Sequence, residues 1–263
     1  DDSPAAQAKL EQARKDALVD KVRGEGADGK THSTIRGDVK DDVDILGHIQ
    51  NPERLGKLVE KQHPNLKKDD PSYQVKLREA EYQELLRITK KLAPADQGSI
   101  VEQWYQKRYG KAGDQTQVSL DKDTYGLSEG RRPDRFEPNP DGENGEKTAT
   151  LRDIKSTKEA LTNPDIAQLE DSLKLAANGK QVSGHDVTEV SISLTNHEGG
   201  HASVGKLVDL MQKHEQFSVE LFSAKGEPRT FRLGDTNPAT NKPYTVTDLR
   251  KAMEQHTKGD TAD

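Results

Sequence analysis

Cysteine is absent from the 263-residue chain, and that absence alone excludes disulfides, thiolate zinc sites and cysteine nucleophiles. Aromatic residues are also scarce, at 4%, and apolar residues reach only 30% against 33% charged. A single core drawn from the whole length would be thin. The composition therefore predicts a compact portion and a looser one. No window approaches the roughly 18 to 20 consecutive apolar residues of a membrane span, and the N-terminal "DDSPAAQAKLEQARKD" lacks the apolar core of a secretory signal. No membrane partner is expected. An initial Met is missing too, which predicts that the chain was cut from something longer. Basic charge is in deficit: the formal net charge of −6 argues against a protein whose main work is coating nucleic acid, but leaves room for an enzyme with a local basic cleft. There is no Walker-type phosphate loop, no GxSxG elbow and no internal repeat.

What is present divides at about residue 73. Residues 1–73 are rich in Asp, Lys, Gly and Pro and read as a charged, helical and partly flexible N-terminal extension: a short helix over 4–23, a Gly-rich break over 24–38 and a brief apolar segment over 41–62. Residues 74–263 read as the main domain, with its core over about 95–235. Val75, Leu77, Tyr82, Leu85 and Ile88 recur near a 3.6-residue period behind Pro71, a helix start signal. A second helix runs to Gly110 and carries Trp104 and Tyr105 as core or interface anchors.

Beyond Gly113 the pattern changes. "QTQVSL", "RRPDRFEP" and "TATLRDIKST" carry strand signals. "NPDIAQLEDSLKLAANG" reads as a helix with Pro near its start and Gly179 past its end, "TEVSISLT" as a strand, "SVGKLVDLMQKH" as a helix and "FSVELFSAKG" as a strand. The expected fold is α/β, a central mixed β-sheet flanked by helices.

Within this frame, Asp153 and Lys155 lie two apart on a predicted strand, so their side chains project from one face. Asp134 opens the preceding strand, and a hairpin between the two would bring the carboxylates together beside an ammonium. Two carboxylates suit Mg²⁺, which keeps several waters for a phosphate substrate. A lysine there can orient water or neutralise charge on the phosphorane. Arg131, Arg132 and Arg135 surround Asp134 and are candidates for phosphate-backbone contact.

"RRPD" and "DIK" resemble the bipartite motif of the PD-(D/E)XK nucleases, the restriction-endonuclease-like superfamily, with Pro133 and Asp134 as its first part and Asp153, Ile154 and Lys155 as its second. The resemblance covers roughly residues 95–235. It implies a restriction-endonuclease-like core and metal-dependent endonuclease activity on DNA, RNA not excluded, with Mg²⁺ or Mn²⁺ held by Asp134 and Asp153. It further implies a Gln facing the site from the helix after the lysine strand, here Gln168, although the aromatic that can follow is replaced by Ser172. A Glu from the helix before the strands is also implied: Glu102 is the best candidate, with Glu81 and Glu84 behind it. A charged helical extension on such a module looks like a bacterial polymorphic toxin or secreted effector. That setting implies a cognate immunity protein and delivery by a secretion system into the cytoplasm of a target cell. A DNA repair or mobile-element nuclease is the nearest competitor.

A different chemistry is suggested by "NHEGGHASVG", where His197, Glu198 and His201 form HExxH, the spacing of zinc metallopeptidases. Gly199 and Gly200 disfavour a helix there, a strand precedes it, and no third ligand is evident; Glu215 or Glu220 would have to serve. The expectation is a turn with glycines at positive φ and helix from about Ser203. His185 and His214 look like ordinary surface residues. A zinc metallopeptidase and a non-catalytic interaction module remain the alternatives to a nuclease.

Overall fold

The computed structural model describes residues 3–6 and 43–259. The helix expected over 4–23 and the Gly-rich break lie outside the described residues, apart from residues 4–6, which are helical. The chain forms two compact units, Asp1–Arg108 and Tyr109–Asp263. The helices after residue 73 thus group with the N-terminal unit.

Between residues 43 and 109 the elements are all helices: α1 (Val43–Ile49), α2 (Pro52–Gln62), α3 (Pro71–Thr89) and α4 (Pro94–Tyr109). Their starts follow from local chemistry. Asn51 and Asp70 accept hydrogen bonds from the N–H groups of Arg54 and Ser72, and Pro52 and Pro71 occupy the first turn, where no N–H partner is needed. Tyr82, Leu85 and Ile88 of α3 are buried as their period predicts, whereas Val75 is 39% exposed. Trp104 is a core residue: it lies 6.5 Å from the Tyr82 ring, and its indole N–H donates to Glu81 at 3.4 Å. Glu84 is committed to Arg54 and Arg87. Burial opposes its charge, but the two guanidiniums hold its carboxyl at about 2.

The second unit is α/β. Its elements are β1 (Gln115–Thr116), α5 (Lys122–Tyr125), β2 (Arg135–Pro138), β3 (Thr148–Lys155), α6 (Asn163–Ala177), β4 (Gln181–Val182), β5 (His185–Leu194), α7 (His197–Lys213), β6 (Phe217–Phe222), β7 (Pro228–Phe231), β8 (Thr236–Asn237), β9 (Lys242–Pro243) and α8 (Val246–Lys258). A seven-stranded mixed sheet runs β1-β2-β3-β5-β6-β7, with β4 against β5. The pairs β1/β2, β2/β3 and β6/β7 are antiparallel, while β3/β5 and β5/β6 are parallel and joined through α6 and α7.

Alternation sorts the side chains. Leu151, Val190, Ile192, Leu194, Val219 and Leu221 join residues of α6, α7 and α8 in one buried core. The strand expected over "QTQVSL" is reduced to two residues, because Gln117 adopts φ 57 and Leu120 makes only an isolated bridge to Arg131. Helix α8 was not foreseen. It is polar overall, and only Leu249 and Met253 mark its apolar side.

The larger correction concerns α7, which begins at His197 rather than near Ser203. Asn196 caps it by accepting from the Glu198 N–H. Neither Gly199 nor Gly200 has positive φ; their lack of a side chain serves packing. A Cβ on Gly199 would sit 1.9 Å from the Thr157 carbonyl oxygen, whereas one on Gly200 would meet the Leu221 Cδ2 at 3.3 Å, with the Thr257 Cγ2 and Leu194 Cβ in ordinary contact at 3.5 and 3.7 Å. Gly199 thereby lets the start of α7 press on the backbone that follows Lys155. Gly199→Ala is expected to destabilise by about 1–3 kcal/mol, and Gly200→Ala to be near neutral, since helix propensity offsets a small shift of Leu221. Thermal unfolding of the two variants checks this; equal losses would contradict the close-approach role of Gly199.

Candidate active site

Asp134 stands just before β2. The β2/β3 register pairs Arg135 with Arg152, and one step further sets Asp134 opposite Asp153. The Asp134 Oδ2 accepts a hydrogen bond from the Ile154 N–H at 2.7 Å, which ties the two motif halves together. Asp153 is 3% exposed, on the helix-covered face of the sheet. Gln168 of α6 donates from Nε2 to the Asp153 Oδ1 at 3.0 Å. Lys155, two residues along, has its ammonium 3.3 Å from the Asp165 Oδ1. The end of β3 is held from the other side, where the N–H and hydroxyl of Thr195 donate to the Lys155 carbonyl at 3.0 and 3.1 Å. Asp134, Asp153, Lys155 and Gln168 are therefore brought together.

Asp165 had escaped notice in the sequence. Its signal was the capping box of α6: the Thr162 side chain accepts from the Asp165 N–H, and the Asp165 carboxylate accepts from the Thr162 N–H. Burial opposes the Asp165 charge, but bonds from Thr162 and the Lys155 ammonium hold its carboxyl below the usual range. Asp153 shows the opposite shift. Burial, and then the Asp134 carboxylate, push it up from 3.8 to about 7 against the pull of Lys155.

Two adjacent carboxylates, one of them buried, make an oxygen donor set suited to a hard divalent cation. Among the described residues no group of three His, Cys, Asp or Glu side chains could hold a metal ion. A cation at Asp134 and Asp153 would rely on water for its remaining ligands, as Mg²⁺ commonly does.

The expected basic rim is largely spent internally. Arg135 is 1% exposed and pairs with Asp114 at 2.5 Å and Glu137 at 2.9 Å. Arg131 pairs with buried Asp171 at 2.7 Å and with Glu129. These two arginines anchor structure in place of the expected phosphate contact, because buried carboxylates nearby need counter-charge. Arg132 is exposed. Glu102, on α4, and the reserve candidates Glu81 and Glu84, on α3, belong to the first unit.

On α7, HExxH is helical, so His197 and His201 do stand one turn apart. His201 Nδ1 lies 3.0 Å from the hydroxyl of Thr257, which itself donates to the Glu254 carbonyl at 2.8 Å. Burial, opposed by Glu198, lowers the pKa of His197. No third zinc ligand joins them among the described residues, and Glu220 lies on β6, accepting from the Ser193 hydroxyl at 2.7 Å. His185 packs edge-on against Phe136, 5.4 Å between ring centroids.

The Asp153 shift has a signed consequence. A carboxyl whose folded pKa is raised contributes stability that is fully present below about pH 4 and lost as pH rises through about 7. Asp153→Asn, which keeps an acceptor for Gln168, should be more stable than the wild type near pH 8, by up to about 4 kcal/mol, with the gain shrinking towards pH 5. Denaturant unfolding at both pH values checks it; a less stable Asn variant near pH 8 would mean that Asp153 bears its charge at no cost. No protein-family model, curated protein or solved structure matches the chain.

Proposed function

We propose that the chain is a metal-dependent phosphodiester hydrolase of the PD-(D/E)XK kind, most simply an endonuclease acting on DNA. One observation carries the reading: the two separated motif halves meet, with Asp134 bonded to the Ile154 N–H, Asp153 beside it and Lys155 two residues further along the same strand. Asp134 and Asp153 would hold Mg²⁺ or Mn²⁺. Such an ion supplies charge to polarise the phosphodiester and lowers the pKa of bound water. The chain's own residues do the rest. Gln168 fixes the orientation of the Asp153 carboxylate, and the Lys155 ammonium donates hydrogen bonds to an attacking water or to phosphate oxygens as negative charge builds. Exposed Arg132 is the arginine left to touch the nucleic-acid backbone. In the setting the resemblance implies, this activity belongs to a secreted bacterial toxin that a cognate immunity protein neutralises.

The helical HExxH supports a second reading, a zinc metallopeptidase using His197, Glu198 and His201. It ranks lower for want of a third ligand among the described residues.

Plasmid nicking with Mg²⁺ or Mn²⁺ separates the two. Asp153→Ala and Lys155→Ala are each expected to reduce cleavage at least about 100-fold, chelation to stop it, and His197→Ala and His201→Ala to leave it nearly unchanged. Undiminished cleavage by Asp153→Ala would dispose of the nuclease. Stoichiometric zinc in the purified protein, with proteolysis lost in His201→Ala, would establish the peptidase instead.

A further inference from the structure

One turn of α6 reaches two side chains on one face of β3. Gln168 donates to Asp153 at 3.0 Å and Asp165 faces Lys155 at 3.3 Å. Asp165 and Gln168 are three apart on a helix and so neighbours on its surface; Asp153 and Lys155 are two apart on a strand and so share a face. The helical pair spans about 4.5 Å of axis and the strand pair about 6.6 Å, a difference that a flexible lysine absorbs. We propose that Asp165 is a positioning residue that holds the Lys155 ammonium beside Asp153, making the first turn of α6 a two-point clamp on the strand that carries the site.

The clamp is itself anchored. The second oxygen of Asp165 accepts from the Thr162 N–H and hydroxyl, both at 2.8 Å, so the start of the helix sets its side chain. The preceding residue is tied to α7, because the Leu161 N–H donates to the Ser203 hydroxyl at 3.0 Å and Lys206 donates to the Leu161 carbonyl at 2.6 Å. Constraint thus passes from α7 through Leu161 and Thr162 to Asp165, and across to Lys155. Both partners of the ion pair are partly buried, at 29% and 22% side-chain exposure, where solvent and salt screen less than at the surface. An ammonium has three N–H donors. With one directed at Asp165, the others remain for water or phosphate.

The catalytic consequence rests on the phosphodiesterase reading, while the clamp does not, and the experiment separates them. Asp165→Asn keeps an oxygen for Thr162 but removes the charge facing Lys155. Side-chain NMR of Lys155 should show two separate Hε resonances in the wild type, collapse to one in Asp165→Asn, and recovery in Asp165→Glu, with the protein still folded and the unfolding temperature of Asp165→Asn lowered by only a few degrees as the ion pair is lost. Thr162→Ala, which loosens Asp165 from its other side, should give partial collapse. With a plasmid substrate, kcat should fall about 10- to 100-fold in Asp165→Asn at nearly constant KM. Averaged Hε resonances in the wild type, separate resonances retained in Asp165→Asn, or an unchanged kcat in that variant would overturn the proposal. A wild type that cuts no phosphodiester, together with an Asp165→Asn variant whose Lys155 is freed, would reject the nuclease and support the clamp.

Discussion

Strand β3 runs between an antiparallel neighbour, β2, and a parallel one, β5, and its two-residue alternation constrains everything around it. Arg152 goes to one face, where it donates to Glu137, Ser191 and Ser193. Asp153 goes to the other, under α6. A slip of one residue would exchange them, placing a guanidinium in the apolar core and the candidate site's carboxylate on the polar face. Opposition to that slip is spread over the neighbours: Leu151 lies between Phe136 and Val190, Asp134 binds the Ile154 N–H, and Thr195 holds the Lys155 carbonyl.

Charge is organised differently on the two faces. On the Arg152 face, anions and cations alternate from Asp114 through Arg135, Glu137 and Arg152, so each charge removed from water has a partner. On the Asp153 face, Asp134 and Asp153 adjoin, and the nearby ammonium of Lys155 is shared with Asp165. Excess negative charge at a buried position is a poor way to stabilise a sheet, and it is the arrangement expected where a protein has work for a cation or a proton.

Much of the arrangement was legible beforehand. The succession of helix and strand in the second unit follows from periodicity, and the shared face of Asp153 and Lys155 follows from their spacing alone. The helix that carries Gln168 belongs to the same local logic, since Pro164 and Gly179 bracket it, whereas the place of Gln168 at the site was what the resemblance implied. Arg135 is different: by position it belongs with Arg131 and Arg132, yet it is buried against Asp114, 21 residues away in sequence. Gly199 is another case. Its neighbour gave the appearance of a flexible pair, but the atom that requires glycine there is the carbonyl oxygen of Thr157. Asp165 went unmarked, because the Lys155 it faces lies on a strand ten positions earlier.

By itself, the sequence determined what is periodic or local: the α/β order, the strand face shared by Asp153 and Lys155, and the prolines that start α3 and α6. Tertiary structure alone decided which charges neutralise one another, where α7 begins, and that Asp134 meets the Ile154 N–H. The physical reason is range. Side-chain periodicity and capping act over a few residues and leave their mark in the chain, whereas ion pairing, burial and close backbone approach depend on which distant segments the sheet brings together.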